Sequence, residues 1–272
     1  MQALASYQLI DIIGKDCTRF LQGQLTTSLD EPTSNKAFLS AVCNPKGRIV
    51  SLFHIFEIEQ GFRLLVPSTN AENTINHLKK YAVFYKVTIS VNNSRIFFAI
   101  SSNENGHQEP NQQQAISLSN TELRIFIESS VNAELDDKQQ DDSQWYSYMV
   151  QHGIAWIDGT TSEEFLPHDL NLPNQGAVSF TKGCFTGQEV IARMQYKGKL
   201  KQHLSLLSVE NSDALEAKST IFQNEKKVGE VVCFAANSPK GCLVLALVKD
   251  KADKSQFFQL SGENPPILKI IE

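Results

Sequence analysis

Residues 37–66 read AFLSAVCNPKGRIVSLFHIFEIEQGFRLLV. Three apolar runs, AFLSAVC, RIVSLFHIFEI and FRLLV, carry the branched and aromatic side chains that suit strands. Asn44-Pro45-Lys46-Gly47 joins the first two runs, with a proline that presets one turn dihedral and a glycine that tolerates positive φ. Gln60-Gly61 joins the second pair, so the stretch is an antiparallel meander. A helix follows at once, with Thr69 and Glu72 at capping-box spacing and Ala71, Ile75, Leu78 and Ala82 on one stripe. Upstream, a shorter helix starts near Asp16 and turns Cys17, Phe20, Leu21 and Leu25 inward.

Strand patterning returns at 87–100 and 121–128, where Leu123, Ile125 and Ile127 alternate. Between these lies SSNENGHQEPNQQQ, a polar surface loop, and residues 133–143 form an acidic solvated stretch. Ser143 then caps a helix carrying Trp145, Tyr148 and Met149, which stops at Gly153. After Leu200 the texture changes. HLSLLSV, VGEVVCF, GCLVLALV, FFQL and ILKII are short strands between polar turns, a spacing that suits a small antiparallel barrel. The segment boundary falls near residue 200, giving 1–200 and 201–272.

At 272 residues the chain exceeds the usual size of one core, so it forms two or more lobes or one large domain. Its net charge of −5 argues against coating nucleic acid by bulk electrostatics, while leaving room for a local basic patch. The N-terminus reads as a first strand and no apolar run is long enough to cross a bilayer, so no membrane role is expected and the cytoplasm is the default location. The five cysteines are odd in number and form no C-x-x-C, and no H-E-x-x-H occurs. Neither a disulfide framework nor a metal site held by this chain alone is expected, and free thiols fit a reducing compartment.

One cysteine sits apart from any strand or helix stripe. KGCFTGQEVIAR, residues 182–193, places Cys184 between Gly183 and Gly187, ahead of a helix whose start is marked by Thr186 and Glu189 at capping-box spacing. A helix N-terminus and the nearby Lys182 favour a thiolate, and such surroundings lower a thiol pKa from ~8.5 to about 3.5–7.5. The small glycines let another molecule approach, and Glu189 and Arg193 stand at the i, i+4 spacing of an ion pair. The residues alone also admit a second reading, a glycine-bounded turn around a small buried cysteine.

The same stretch resembles the signature K-G-C-[FY]-x-G-Q-E-x-x-x-R of the YgfZ family, folate-binding proteins involved in tRNA modification and in maturing iron–sulfur enzymes. GKDCTRFLQGQLTTSL, NPKGRIVSLFHIF, LKKYAVFYKVTI and EEFLPHDLNLPNQGAVSFTKGCFTGQE are similar to the family's other blocks in the same order, so the likeness covers most of residues 7–200. It implies an α+β fold of the aminomethyltransferase type: a folate-binding body with a ferredoxin-like portion at about 91–165, followed by a C-terminal antiparallel β-barrel. It further implies that Cys184 is the functional cysteine, with Lys182, Gly183, Gly187, Gln188, Glu189 and Arg193 around it, and that Tyr7 and Trp145 occupy the family's folate-associated aromatic positions. Tyr7 departs from the tryptophan of the best-known member, yet a phenol also stacks on a pterin.

The cofactor implied is tetrahydrofolate or another folate derivative. Tyr7, Trp145 and the Phe-rich meander can hold its pterin. Glu163, Glu164, His168 and Asp169 either fix the pterin edge or form a solvated acidic loop. Arg193, Lys182 and the run Tyr196–Lys201 can meet the glutamate tail. That run reads equally as an exposed turn or as the place of a weak tRNA contact. The leading expectation is a folate-binding accessory protein that uses Cys184 to support iron–sulfur tRNA-modifying enzymes, its clients, in tRNA thiomethylation. The alternative is a folate-dependent aminomethyl transferase, against which counts the lack of a carboxylate in Arg48-Ile49-Val50-Ser51-Leu52. An RNA-binding module without a small ligand fits the charge poorly.

Overall fold

The meander occupies the middle of a nine-stranded mixed sheet in the computed structural model, which describes residues 1–30, 36–100, 115–128, 141–210, 215–238, 241–260 and 266–271. Its strands are β1 (Gln2–Ala3), β2 (Tyr7–Ile13), β3 (Lys36–Cys43), β4 (Ile49–Ile58), β5 (Gly61–Pro67), β6 (Thr88–Asn92), β7 (Arg95–Ile100), β8 (Ile116–Leu118) and β9 (Leu123–Glu128). They lie in the order β1-β7-β9-β8-β3-β4-β5-β2-β6, and the β3–β8 contact is parallel. The polar loop expected at 101–114 and most of the acidic stretch at 133–143 lie outside the described residues.

Strand β4 divides two cores. Val50, Phe53 and Ile55 face one cluster with Phe20, Leu21 and Leu78, whereas Ile49 and Leu52 join another with Phe165, Phe185 and Ile191. Burial on both faces explains why RIVSLFHIFEI shows little polar alternation.

Among the described residues, four helices cover or flank the sheet: α1 (Cys17–Gln22), α2 (Ala71–Ala82), α3 (Ser143–Gln151) and α4 (Gln188–Lys197). α2 differs from expectation at its start. A 3-10 turn occupies Ser68–Asn70, and Asn70 stands at the N-cap without a side-chain capping bond, so the Thr69–Glu72 box does not form. Buried Asn70 instead donates its Nδ2 to Val50 O at 3.0 Å. The inner stripe also moves, to Ala71, Thr74, His77 and Leu78. Thr74 is admitted because its hydroxyl donates to Asn70 O and lies 2.7 Å from Ser51 Oγ.

The C-terminal strands close a six-stranded barrel: β10 (Gln202–Val209), β11 (Thr220–Gln223), β12 (Lys226–Ser238), β13 (Gly241–Lys249), β14 (Phe258–Leu260) and β15 (Ile267–Ile270). Every pairing in it is antiparallel. Along β13, Val244, Ala246 and Val248 fill the barrel, while Leu243, Leu245 and Leu247 pack into the core shared with the body. GCLVLALV is a continuous apolar run because both of its faces are buried. A bulge between Val231 and Cys233 turns both Val232 and Cys233 toward that shared core. Among the described residues, no helix is long and apolar enough to cross a membrane.

Candidate functional site

The chain reaches Cys184 along a path fixed by backbone hydrogen bonds to a distant segment. Ser179 N donates to Thr26 O at 2.8 Å, and Thr186 N donates to Gly23 O at 3.1 Å. Thr186 Oγ1 also donates to Gln24 Oε1 at 3.2 Å, so its hydroxyl is not the cap of α4. That cap is Gly187, in the left-handed conformation at φ 84°, and it makes no side-chain capping bond. The Thr186–Glu189 capping box is therefore another expectation the structure corrects.

Gly187 has a packing reason as well as a conformational one. A Cβ there would lie 2.6 Å from Asn44 O and 3.0 Å from Gly47 Cα. Gly47, at φ 74°, faces back, since a Cβ on it would lie 3.1 Å from Val190 Cβ. The turn of the meander and the start of α4 thus touch through two glycines, which permits backbone contact that side chains would block. The two motifs, 140 positions apart from Gly47 to Gly187, become one surface in the fold.

 Cys43, which stands 144 positions before Gly187, closes this contact from beneath, its Cβ 3.3 Å from where a Gly187 Cβ would stand.

Lys182 is held with equal definition. Its half-buried ammonium donates to Leu25 O at 2.9 Å and Thr27 O at 2.6 Å, and it lies 5.4 Å from the centroid of buried Phe185. Burial lowers its pKa from 10.5 to about 8, against the opposing pull of Asp30. Lys182 therefore ties the turn to the segment after α1, with two of its three donors on backbone carbonyls. Between this tie and Gly187, Cys184 is exposed and a Cβ on Gly183 would meet nothing within 4 Å. The reading of Cys184 as a buried turn residue is overturned.

The other cysteines contrast with it. Cys17, Cys43, Cys233 and Cys242 are buried, and burial pushes the thiols of Cys43 and Cys233 upward, the latter to about 12. Glu189 and Arg193 are exposed on α4, and no ion pair joins them among the described residues. Gln188 is half-buried in the first turn of α4.

The acidic loop is engaged with its neighbours. Glu163 accepts from Asn44 Nδ2 at 3.0 Å, Glu164 pairs with Lys218 at 2.6 Å, and the Arg48 guanidinium donates to Glu164 O. His168 and Asp169 are buried. His168 Nε2 lies 3.1 Å from Gln195 Oε1, and Asp169 Oδ2 accepts from Leu166 N at 2.8 Å. Burial lowers the His168 pKa, offset by the Gln195 contact and by Asp169. Beyond this loop, Tyr196 is 71% exposed and its ring stands edge-on to Phe180 at 6.0 Å, with Lys197, Lys199 and Lys201 exposed beside it in sequence.

Tyr7 and Trp145 do meet, at 5.2 Å between centroids, but in the core. Trp145 is 0% exposed, Tyr7 is 6% exposed, and Phe98 closes the far side of the indole at 5.4 Å. Burial, and then Tyr146, raise the Tyr7 pKa well above its ordinary value. The indole Nε1 is buried without a hydrogen-bond partner. In front of this pair stand two half-buried rings, Tyr146 and Trp156, 4.5 Å apart, with Tyr146 6.2 Å from Tyr7.

Nearby Asp158 uses Oδ1 to accept from the N–H and hydroxyl groups of Thr160 and Thr161, while no hydrogen bond reaches its Oδ2 among the described residues. These bonds hold its pKa below the ordinary value despite partial burial. The sequence reading missed Tyr146, Trp156 and Asp158. The available signal was that Trp156 is one of only two tryptophans, and it follows the glycine that ends α3.

No family model matches the chain. It is 32% identical over 270 residues to an uncharacterized protein of Haemophilus influenzae, covering 95% of this chain and 92% of that one. It is 31% identical over 258 residues to the tRNA-modifying protein YgfZ of Shigella boydii, covering 85% of this chain and 77% of that protein. The namesake from Aliivibrio fischeri is 28% identical over 280 residues, covering 94% and 87%. Among solved structures, aminomethyltransferase T of the glycine cleavage system of Bartonella henselae superposes with a TM-score of 0.71 at 17% identity, covering 99% of this chain and 84% of that one. The fold is thus aminomethyltransferase-like.

Proposed function

Because the chain belongs to the YgfZ family of tRNA-modifying proteins, we propose that it is a folate-binding accessory protein whose Cys184 supports iron–sulfur enzymes in tRNA thiomethylation. The observation that carries this reading is the exposure of Cys184 on a turn pinned on both sides. A rigid backbone that presents one thiol, while four other thiols are buried, is suited to chemistry with a visiting molecule. Lys182 positions the turn through carbonyl groups and leaves recognition of anionic groups to exposed Arg193 and the Tyr196–Lys201 run. A weak tRNA contact belongs to that run, where an exposed ring lies beside lysines.

A folate fits the aromatic group in a particular way. Tyr146 and Trp156 are partly accessible and hold the pterin against their rings, with Tyr7 and Trp145 as the layer behind them. Asp158 Oδ2 accepts from the donor edge of the pterin, whose amino and ring N–H groups suit a carboxylate. Bound tetrahydrofolate supplies a carrier for one-carbon units. The chain's own residues bind and orient it. The aminomethyl-transfer alternative lacks support from the meander, where Arg48 is turned to Glu164 and Ser51 to Thr74.

The test has two arms. Cys184→Ala is expected to stay folded and to fail in restoring tRNA thiomethylation to a deletion strain, scored by modified-nucleoside analysis. Full restoration by that variant removes the reactive-thiol reading. Tetrahydrofolate is expected to quench the fluorescence of a Trp145→Phe variant, which reports Trp156 alone. Unchanged emission over a full titration removes the proposed pterin site.

A further inference from the structure

A second surface, unrelated to the cysteine turn, lies where α2 runs into β6. The connecting residues are held firmly. Tyr85 N donates to Ala82 O at 2.9 Å, and Lys86 N donates to Asp16 Oδ2 at 2.8 Å. The Tyr85 ring packs on buried Phe20 at 5.3 Å, beneath the Arg19 guanidinium at 5.9 Å. This anchored loop nevertheless points Val83 and Phe84 into solvent, 74% and 93% exposed. Burying a phenylalanine is favourable, so an anchored loop that displays one beside a valine is an apolar knob without an internal partner.

The strand that follows is an edge. β6 ends the order of the nine-stranded sheet and pairs with β2 alone. Among the described residues, no backbone hydrogen bond beyond that pairing reaches residues 88–92. Thr88, Ser90 and Val91 are exposed. Edge strands are usually blunted by lysine, proline or a bulge, and TISVN, residues 88–92, contains none of these residues and pairs with β2 without a register shift.

Charge narrows the occupant. KKYAVFYKVTIS, residues 79–90, holds three lysines and no acidic residue in a chain of net charge −5. Lys79, Lys80 and Lys86 are all exposed. The acidic groups that meet this segment are engaged, Asp16 by Lys86 N and Asp11, opposite Ser90, by Arg63 and Asn92. A free row of N–H and C=O groups asks for a peptide strand, which a nucleic acid does not supply.

We infer that the β6 edge, with the Val83–Phe84 knob, is a docking site for an extended acidic segment of a partner protein, added as a tenth strand. Backbone hydrogen bonds to residues 88–92 give the register, Phe84 and Val83 bury an apolar side chain of the segment, and the three lysines meet its carboxylates. A second copy of this chain is less well matched, because its own residues 79–92 bring the same three lysines and no carboxylate.

The probe is a capped octapeptide of alternating Glu and Val, titrated onto the full chain. It is expected to bind, to slow hydrogen exchange at residues 88–92, and to weaken as salt rises. Phe84→Ser, at a site too exposed to disturb folding, and separately Lys79→Glu with Lys80→Glu and Lys86→Glu, are each expected to weaken it about ten-fold or more, as for an interface anchor. The lysine–valine counterpart and an octapeptide N-methylated at alternate amides are expected not to bind. Absence of protection at 88–92, or equal binding by Phe84→Ser, overturns the inference. So does displacement of the peptide by an oligouridylate, which assigns the patch to RNA, or a concentration-dependent dimer protected at 88–92, which assigns it to a second copy.

Discussion

The turn at Cys184 and the pair Tyr7–Trp145 carry the same kind of family likeness and meet opposite fates in the fold. At the turn, the thiol is exposed and its neighbours are the supports: Lys182 on two carbonyl groups, Gly187 against the Asn44–Gly47 turn. In the aromatic group, the residues singled out by likeness are the supports, and the accessible rings are their neighbours Tyr146 and Trp156. A motif position therefore says that a residue matters to a site. Whether it touches the ligand or braces what does so depends on burial.

This contrast breaks most readily at the tryptophans. Trp145→Ala, at a fully buried site, is expected to cost about 3–5 kcal/mol of stability in denaturant unfolding. Trp156→Ala is expected to cost less stability than Trp145→Ala while losing more of the tetrahydrofolate affinity, measured by calorimetry. If the Trp156 variant binds folate normally, the assignment of layers fails. Gly187→Ala comes next, expected to cost about 2–4 kcal/mol, since it adds left-handed strain to a close approach on Asn44 O. Its melting temperature should fall while that of Gly183→Ala, in open space, stays unchanged.

A smaller effect follows from Lys182. Its pKa is lowered from 10.5 to about 8 in the fold, so between those pH values the unfolded chain holds a proton that the folded chain has released. Stability from this group therefore rises with pH across that window, and its burial penalty is fully present below pH 8. Urea unfolding from pH 8 to 10.5 is expected to show this slope, and Lys182→Met is expected to flatten it. Cys184→Ala is likewise expected to change stability little, within about 0.5 kcal/mol of the parent. A larger loss would mean that the thiol braces the turn, and the contrast between the two regions would disappear.

Much of the fold is legible in local pattern. The meander, α2, the helix of Trp145 and five of the six barrel strands stand where alternation and turn residues put them. β8 and β11 escape notice because three or four residues hold too little periodicity to separate a strand from a loop. The two capping boxes fail for different reasons. Thr69 lies inside a local 3-10 turn that shifts the N-cap to Asn70, whereas the Thr186 hydroxyl is taken by the distant Gln24.

From the chain alone come the strand and helix order, the likeness that places it in its family, and the singular setting of Cys184 between two glycines. Local spacing suffices for these, because alternation and turn chemistry act over a few residues. The folded arrangement adds the partners of Lys182, which lie 157 and 155 positions away, the docking of Gly187 on the Asn44–Gly47 turn, and the partial exposure of Tyr146 and Trp156 beside Tyr7. Exposure and hydrogen-bond partnership are set by which distant segments a residue meets, and no window along the chain contains both sides of such a contact.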